Sequence, residues 1–458
     1  MQTKNNKALI LIILLIATIL SPLDFYIVNL SLTPIQKGLG ATAGQLQMIV
    51  SFYTCVYAIF QITGGRLGDL LGRKQMFMTG LMGFILASAM CGLATSITVM
   101  IVGRVIQGIS GAIMAPQVLA IIHVTFSEKE KTRVMALYSF TFGLAAVLGQ
   151  YLGGLLIACN ILGLGWRIIF LMNIPIGCLA WIGAVFLLPN APKESAQKID
   201  AFGIALLSLA LGLIVYPLTL IAENGWNISI IAMLLGSILF LISFVLYQKK
   251  MIAKGRSPLI DIAVFKYRNL SIGSIVAFLF YSSGIFYLAI GIYLQEDQHW
   301  NALDAGTAII PFGLGFLISS LSSPAIVRHI GDVILNVGIL TKALGFLFII
   351  YSVSLVNPTS YLFYVGLFFA GCGMGLTLSS IARISLAGIP HKYAGLASGV
   401  INCALQIGSA IGVAGIGSVF FSLYKDNGYA YSFQISLAIV VALLGAACFI
   451  ALFITKKK

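Results

Sequence analysis

The chain has 458 residues, of which 60% are hydrophobic and 9% are charged. Soluble domains carry about 25% charged residues, so this composition excludes a soluble globular protein. Apolar runs of roughly 20 residues recur along the chain, and they lack the alternation of polar and apolar residues that marks membrane β-strands. The sequence therefore predicts an all-α integral membrane protein with the lipid bilayer as its surroundings.

The net charge of +14 does not indicate a nucleic-acid partner, because the basic residues follow the predicted topology. The apolar runs predict fourteen transmembrane helices. Their limits are near 8–30, 46–65, 76–95, 98–122, 134–158, 168–189, 202–222, 228–248, 269–294, 305–326, 333–355, 360–382, 394–422 and 430–454. Among the 27 Lys and Arg, only Lys37, Arg167 and Lys425 lie in connections on one side, while Arg104 and Lys342 fall within spans. All the others lie on the opposite side, so the positive-inside rule places both termini in the cytoplasm.

The first predicted helix contains Asp24, the only acid that we place inside a span. Apolar surroundings disfavour a charged carboxylate, so an acid there can take up and release a proton near neutral pH. The alternative is a solvated carboxylate near the outer membrane surface that caps the backbone after Pro22. We favour proton handling.

A charged, glycine-rich hairpin, GGRLGDLLGRKQM from Gly64 to Met76, joins the second and third predicted helices. Asp69 and Arg73 have the i,i+4 spacing of an acid–base pair on a helix surface. Charges beside hydrocarbon are costly, so the pattern favours a conformational latch over a connection that only sets topology. The hairpin resembles the loop between helices 2 and 3 of the major facilitator superfamily of secondary transporters. The predicted latch residues are Gly65, Asp69, Gly72, Arg73 and Lys74.

The first-helix segment SPLDFYIVNLSLTPI resembles a motif of one branch of this superfamily, the fourteen-helix drug:proton antiporters. The matching residues are Leu23, Asp24, Ile27, Val28, Asn29 and Ile35. The resemblance implies a bacterial inner-membrane exporter that uses the proton gradient as its energy source.

The fourth predicted helix contains Arg104, and an arginine inside a span must find acceptors or water. Its segment resembles the superfamily motif Arg-x-x-Gln-Gly-x-x-x-Ala, which Arg104, Gln107, Gly108 and Ala112 match. The resemblance assigns Arg104 to proton coupling together with Asp24. A structural arginine bonded to backbone carbonyls is the alternative.

The fifth predicted helix resembles the antiporter motif Gly-x-x-x-Gly-Pro-x-x-Gly-Gly, in which Gly149, Gly153 and Gly154 match. Gln150 stands at the position of the proline, so the kink that proline imposes is not required. We expect Gln150 to present a polar group to a cavity instead. The departure leaves the direction of transport open.

A substrate cavity is expected near mid-membrane, lined by aromatic and amide side chains. Its predicted residues are Asn29, Tyr53, Tyr57, Gln107, Tyr281, Tyr287, Asn402 and Gln406. Aromatic faces can bind amphipathic cations, and lipid-facing belts are the alternative for the tyrosines. Lys342, near one end of the eleventh helix, is expected to extend to the membrane surface.

The ends of helices 2 and 10 indicate an internal repeat, with Gly331 at the position of Gly72 and Arg328 at that of Asp69. We therefore divide the chain into an N-terminal six-helix half (1–190), two inserted helices with cytoplasmic linkers (191–268) and a C-terminal six-helix half (269–458). Such duplicated halves bind substrate at their interface.

The sequence is interpreted as a proton-coupled exporter of amphipathic, often cationic small molecules. In the expected cycle, Asp69 lies beside the N-terminus of helix 13 in one conformation, where the helix dipole favours an anion. A uniporter or symporter of the same fold for a metabolite is the alternative. The four His and seven Cys show no metal-ligand or nucleophile–base pattern, so no cofactor, metal or enzyme activity is predicted.

Overall fold

A computed structural model describes residues 4–189, 199–355, 360–390 and 393–454, and this part of the chain is almost entirely helical. Its α-helices are α1 (Lys4–Leu39), α2 (Ala43–Leu71), α3 (Arg73–Gly92), α4 (Ile97–Thr125), α5 (Glu128–Cys159), α6 (Ile168–Leu171), α7 (Asn173–Leu187), α8 (Ala201–Asn224), α9 (Ile228–Ala253), α10 (Arg268–Tyr281), α11 (Ile285–Ile292), α12 (Ala302–Ala308), α13 (Ile310–Ile330), α14 (Ile334–Val353), α15 (Tyr361–Ser385) and α16 (Ala394–Ala451). The predicted all-α class is confirmed. The domain boundary at 190, the connection 356–359 and both chain ends lie outside the described residues.

Twelve helical segments in the described ranges are long and apolar enough to cross a membrane. This count does not confirm the predicted fourteen. Two of the segments, Ala302–Val353 and Ala394–Ala451, have 52 and 58 residues, whereas about 20 suffice to span a bilayer. The first is interrupted at Gly331 (φ 60°) and the second at Gly428 (φ 79°), conformations that glycine adopts without a steric penalty.

Local signals define both ends of α2 and the end of α13. Thr42 and Gln45 form a capping box that starts α2. Gly72 ends α2 with φ 106°, and its N–H donates to the carbonyl of Gly68. Gly331 ends α13 in the same way, with its N–H on the carbonyl of Val327, which agrees with the predicted pairing of Gly72 and Gly331.

The helices pack as two groups with a separate hairpin. In the first group α2 and α3 pack on α4, and α1 packs on α5 and α7. In the second group α13 and α14 pack on α15, and α10 packs on α16. The groups meet where α5 contacts α12 and α13, where α2 contacts α16, and where α1 contacts α11. The α8–α9 hairpin lies against α2 and α16.

A buried acid that the sequence analysis did not select, Asp200, anchors this hairpin. Its carboxylate caps α8 by accepting from the Gly203 N–H at 2.8 Å, and it also accepts from Gln248 Nε2 at 2.7 Å and from the Leu259 N–H at 3.1 Å. Arg66 at the end of α2 donates to the Leu259 carbonyl at 3.2 Å. The segment after α9 is therefore tied both to the hairpin and to α2.

Asp200→Ala is expected to destabilise the protein more than the loss of a single helix cap at the surface does. The helix cap contributes about 0.5–2 kcal/mol, and each of the two other donors left unpaired costs about 1–3 kcal/mol. Thermal unfolding of the detergent-solubilised protein measures the effect. Asp261→Ala is the matched control, because Asp261 caps a short 3₁₀ turn with a single bond to the Ala263 N–H. Equal losses in the two variants would contradict the anchoring role of Asp200.

Candidate functional site

The charged centre of the bundle is an ion pair between Asp24 on α1 and Arg104 on α4, with side chains 0% and 1% exposed. Arg104 Nη1 donates to Asp24 Oδ2. Arg104 Nε donates to the Ile49 carbonyl at 3.0 Å, and its guanidinium lies 4.1 Å from the centre of the Tyr53 ring. Neither charge is solvated, so the pair depends on these contacts for its stability.

Three amide and hydroxyl side chains complete this cluster. Gln107 Oε1 accepts from Arg104 Nη1 at 2.6 Å, and Gln107 Nε2 donates to Asp24 Oδ1 at 2.9 Å. Asn173 Nδ2 donates to the same Asp24 oxygen at 3.2 Å. Ser88 Oγ accepts from both Gln107, at 2.9 Å, and Asn173, at 3.3 Å. Side chains of α4 and α7 therefore meet the Asp24 carboxylate of α1, and Ser88 of α3 is linked to it through Gln107 and Asn173.

Close helix packing brings the charges within reach of each other. A Cβ atom at Gly108 would lie 2.6 Å from the Tyr53 carbonyl oxygen, so only glycine permits this approach of α4 to α2. Arg104 lies one helical turn before Gly108 on α4. The close approach therefore brings its guanidinium within hydrogen-bonding distance of the Ile49 carbonyl and against the face of the Tyr53 ring. The structure thus brings together the predicted Asp24, Arg104 and Gln107.

The sequence analysis missed Ser88 and Asn173. Asn173 stands in the segment WRIIFLMNIPIG, where an amide among apolar residues was an available signal. Ser88 gave no comparable signal, because a serine hydroxyl in a membrane helix can bond to its own backbone. Tyr53, predicted to line the cavity, packs against Arg104 and shares a 2.6 Å hydrogen bond with Ser21.

The predicted latch forms only part of its expected contacts. Arg73 Nη2 lies 3.3 Å from Asp69 Oδ1, as the i,i+4 spacing indicated, and Lys74 donates to the Val185 carbonyl at 2.8 Å. Gly65 has room for a side chain, since the nearest atom to an added Cβ is 3.8 Å away. The Asp69 side chain is 47% exposed. Within the described ranges, the hydrogen-bond and ion-pair partner of the Asp69 carboxylate is Arg73, and no hydrogen bond joins it to the first turn of α16.

The predicted α5 motif lies at two helix contacts. Cβ atoms at Gly149 and Gly153 would lie 2.7 and 2.9 Å from side-chain atoms of Tyr26 and Ile27 on α1. A Cβ at Gly154 would lie 2.3 Å from the Ala302 carbonyl oxygen at the start of α12. Gln150 is buried, and within the described ranges neither of its amide atoms has a partner. The α5 glycines therefore connect the two helix groups.

Gly154→Val is expected to open the contact between α5 and α12, because the side chain cannot fit against the Ala302 carbonyl. Overpacking typically costs about 1–3 kcal/mol, which shifts a two-state ratio by roughly 5- to 150-fold. An impermeant maleimide added to protein with a cysteine at position 303 measures the opening. Gly212→Val in α8 is the control, since nothing lies within 4 Å of a Cβ there. Equal labelling of both variants would refute the assignment.

The remaining predicted cavity residues lie on α1, α2, α10, α11 and α16. Tyr287 belongs to a buried aromatic cluster on α1, α11, α13 and α14, in which its ring centre is 5.1 Å from that of Tyr26 and 5.5 Å from that of Phe312. Tyr57 is buried, and Tyr281 is partly buried. Asn29 donates to the Phe25 carbonyl. Asn402 and Gln406 on α16 are half-buried. Cavities of about 610 and 230 Å³ occur in the structure, and none of the predicted cavity residues lines either of them.

The structure corrects the prediction made for Lys342 on α14. It does not extend to the membrane surface, because its side chain is 2% exposed. Its Nζ donates to Ser283 Oγ at 2.6 Å and lies 3.3 Å from Met374 Sδ and 4.0 Å from the centre of the Phe280 ring. The rotation of α14 turns this residue inward, and position along the chain does not determine that rotation.

Comparison with known proteins agrees with the fold. The family model described as Major Facilitator Superfamily matches residues 14–413. A probable actinorhodin transporter of Streptomyces coelicolor is 32% identical over 91% of this chain and 73% of its own length. The multidrug resistance protein Stp of Mycobacterium tuberculosis is 31% identical over 87% of this chain and 73% of its own length.

A solved structure supports the same architecture. The inward-facing, unoccupied crystal structure of a bacterial homologue of the human lysosomal transporter Spinster has a TM-score of 0.68 at 14% identity, over 98% of this chain and 97% of its own. At that identity it supports the fold alone. The family match is to transporters and not to enzymes, and it covers most of the chain. The chain belongs to the major facilitator superfamily.

Proposed function

We propose that this protein is a proton-coupled secondary transporter that exports amphipathic small molecules by alternating access. The observation that carries the proposal is the buried cluster in which Arg104, Gln107 and Asn173 all donate to the Asp24 carboxylate. A carboxylate held only by donors can exchange its ion pair for a proton, and intramembrane acids of this kind mark proton pathways.

In the proposed cycle, a proton on Asp24 removes the anion that faces Arg104. The guanidinium keeps the Ile49 carbonyl and Gln107 as acceptors, but its charge is no longer balanced. This imbalance favours a movement of α1 against α4, which reorients one helix group against the other. Asp69 then engages the N-terminus of α16 in the opposite conformation, as the sequence predicts.

The proposed topology has fourteen crossings. The segments of 52 and 58 residues each cross the membrane twice, with their turns at Gly331 and Gly428. Both termini lie in the cytoplasm of a bacterial cell, and the protein resides in its inner membrane. The two six-helix halves and the inserted α8–α9 hairpin are the units of this topology.

The names of the relatives support export as the direction. They include a probable actinorhodin transporter, a tetracenomycin C resistance and export protein, and a puromycin resistance protein. The predicted preference for cationic compounds stays a prediction. Asp24 is engaged by Arg104, so an organic cation would depend on aromatic faces such as those of Tyr26, Tyr287 and Phe312.

Dye accumulation in inverted membrane vesicles tests the function, because the cytoplasmic side of the membrane faces outward in them and export therefore carries the dye inward. The fluorescent dye Hoechst 33342 is added outside vesicles that contain the protein. A pH gradient is then imposed that makes the vesicle interior acidic. Gradient-dependent accumulation that stops on addition of an uncoupler supports proton-coupled export. Transport of a dye or metabolite that is indifferent to the uncoupler supports the alternative, a uniporter of the same fold. Vesicles without the protein supply the baseline.

A further inference from the structure

Lys342 is a buried cation without a counter-ion. In the part of the chain that the structure describes, no Asp or Glu oxygen lies within 4 Å of its Nζ, unlike Arg104 in the other helix group. Its contacts are one hydroxyl, one thioether and two aromatic faces, those of Phe280 at 4.0 Å and Phe346 at 5.8 Å. These contacts stabilise an ammonium only weakly compared with a carboxylate.

The internal repeat relates Ser283 to Asp24. Ser283 precedes Gly331 by as many residues as Asp24 precedes Gly72, and these two glycines end matching helices. Ser283 therefore occupies in the second half the position that Asp24 occupies in the first. The second half thus has a buried cation but a hydroxyl where the first half has an acid.

The backbone at Ser283 is also interrupted. Residues Ser282–Gly284 form a 3₁₀ turn between α10 and α11. A stretch of 3₁₀ helix within a longer helix often marks a functional hinge or local strain. The interruption brings Ser283 Oγ to Lys342 while α10 and α11 continue on either side.

Unpaired hydroxyls border the same place. Ser409 and Thr377 are fully buried, and their hydroxyls have no partner within the described ranges. Ser409 Oγ packs against Gly284, next to Ser283, at 2.6 Å from where a Cβ would stand. Thr377 Oγ1 packs against Gly338, one helical turn from Lys342. Buried hydroxyls without partners are costly, so a ligand that accepts hydrogen bonds would be stabilised there.

We propose that Lys342, Ser283, Thr377 and Ser409 form a subsite for an anionic group, of the carboxylate class, on the transported compound. The inference rests on the proposed transport function and assigns it a substrate class, acidic amphipathic compounds. The ammonium supplies the charge, and the hydroxyls of Thr377 and Ser409 supply further donors. Ser283 Oγ donates to the Phe280 carbonyl at 2.7 Å and positions the ammonium by accepting from it. This set matches the acceptor-only chemistry of a carboxylate.

Binding without any gradient tests the subsite independently of export. Purified full-length protein is titrated with a naphthyl carboxylate and, separately, with its uncharged methyl ester. We expect the carboxylate to bind more tightly to the wild type. Lys342→Met should weaken carboxylate binding by roughly 10- to 100-fold, the loss expected for a charge-assisted hydrogen bond, and change ester binding by less than about threefold. Lys342→Arg should recover part of the carboxylate affinity.

Further variants separate a ligand contact from a structural role. Lys250→Met, at an exposed lysine of α9, should bind both probes like wild type. Thr377→Val should weaken carboxylate binding by roughly 3- to 10-fold and gives an independent reading if Lys342→Met does not fold. Carboxylate binding is also measured with added sodium chloride while the total ionic strength is held constant. This measurement shows whether the subsite prefers an organic acid or a small inorganic anion.

The outcomes decide the proposal. Equal affinity of wild type for carboxylate and ester, equal loss of both probes in Lys342→Met, or complete displacement by chloride would overturn the subsite. The naphthyl carboxylate is also offered to inverted vesicles with a pH gradient. Failure of its gradient-driven accumulation, with the carboxylate preference in binding intact, would overturn the proposed export instead, because the binding measurement contains no gradient.

Discussion

Asp24→Asn is expected to abolish gradient-driven efflux while substrate binding persists. The amide cannot carry the proton, so the gradient-dependent rate should fall to the level of vesicles without the protein. The measurement is the initial dye accumulation rate per unit of inserted protein. Asp426→Asn, at an exposed acid of α16, is the control and should transport normally.

The same substitution should also destabilise the protein. Every hydrogen-bond partner of the Asp24 carboxylate is a donor: Arg104, Gln107 and Asn173. An amide places its own NH₂ donor against one of them and leaves Arg104 without a counter-ion. Breaking a buried ion pair from one side typically costs about 3–5 kcal/mol. This cost follows from the pairing of Asp24 with Arg104 in the structure.

A double variant separates the two effects. Asp24→Asn combined with Arg104→Gln removes both charges, so thermal stability should recover toward wild type while efflux stays at baseline. Recovery of efflux in the double variant, or wild-type efflux in Asp24→Asn alone, would falsify the assignment of Asp24 as proton carrier.

Arg104→Ala is the second substitution with a large expected effect. It removes the hydrogen bonds to Asp24, Gln107 and the Ile49 carbonyl and the contact with the Tyr53 ring. It also strands the Asp24 carboxylate, again at about 3–5 kcal/mol. Stability in detergent and efflux rate should both collapse.

Arg104→Lys should be less damaging than Arg104→Ala. Lysine keeps the positive charge but loses the planar fork of donors, so it cannot serve Ile49 and Asp24 together. We expect stability near wild type and a clearly reduced efflux rate. Similar, reduced efflux rates for the Lys and Ala variants would show that a positive charge at position 104 is not sufficient for coupling. Wild-type rates for both variants would show that Arg104 is not part of the coupling site.

Reasoning from sequence was most reliable where a residue contradicted its surroundings. Asp24 and Arg104 stand out as charges inside apolar runs, and Gln107 follows Arg104 at helical spacing. Such residues are costly in lipid, so their presence indicates partners and function. Ser88 and Asn173 carry no charge, and their role depends on how α3 and α7 face α1.

The fold class, the helical segments and the family follow from the sequence by itself, because hydropathy, charge bias and short motifs are local properties of the chain. Tertiary structure alone decided which face of each helix is buried. It turned Lys342 inward, paired Arg104 with Asp24 and left Asp69 half exposed beside Arg73. The physical reason is that helix rotation depends on packing between all neighbouring helices, where small residues permit close approach and buried polar groups must find partners.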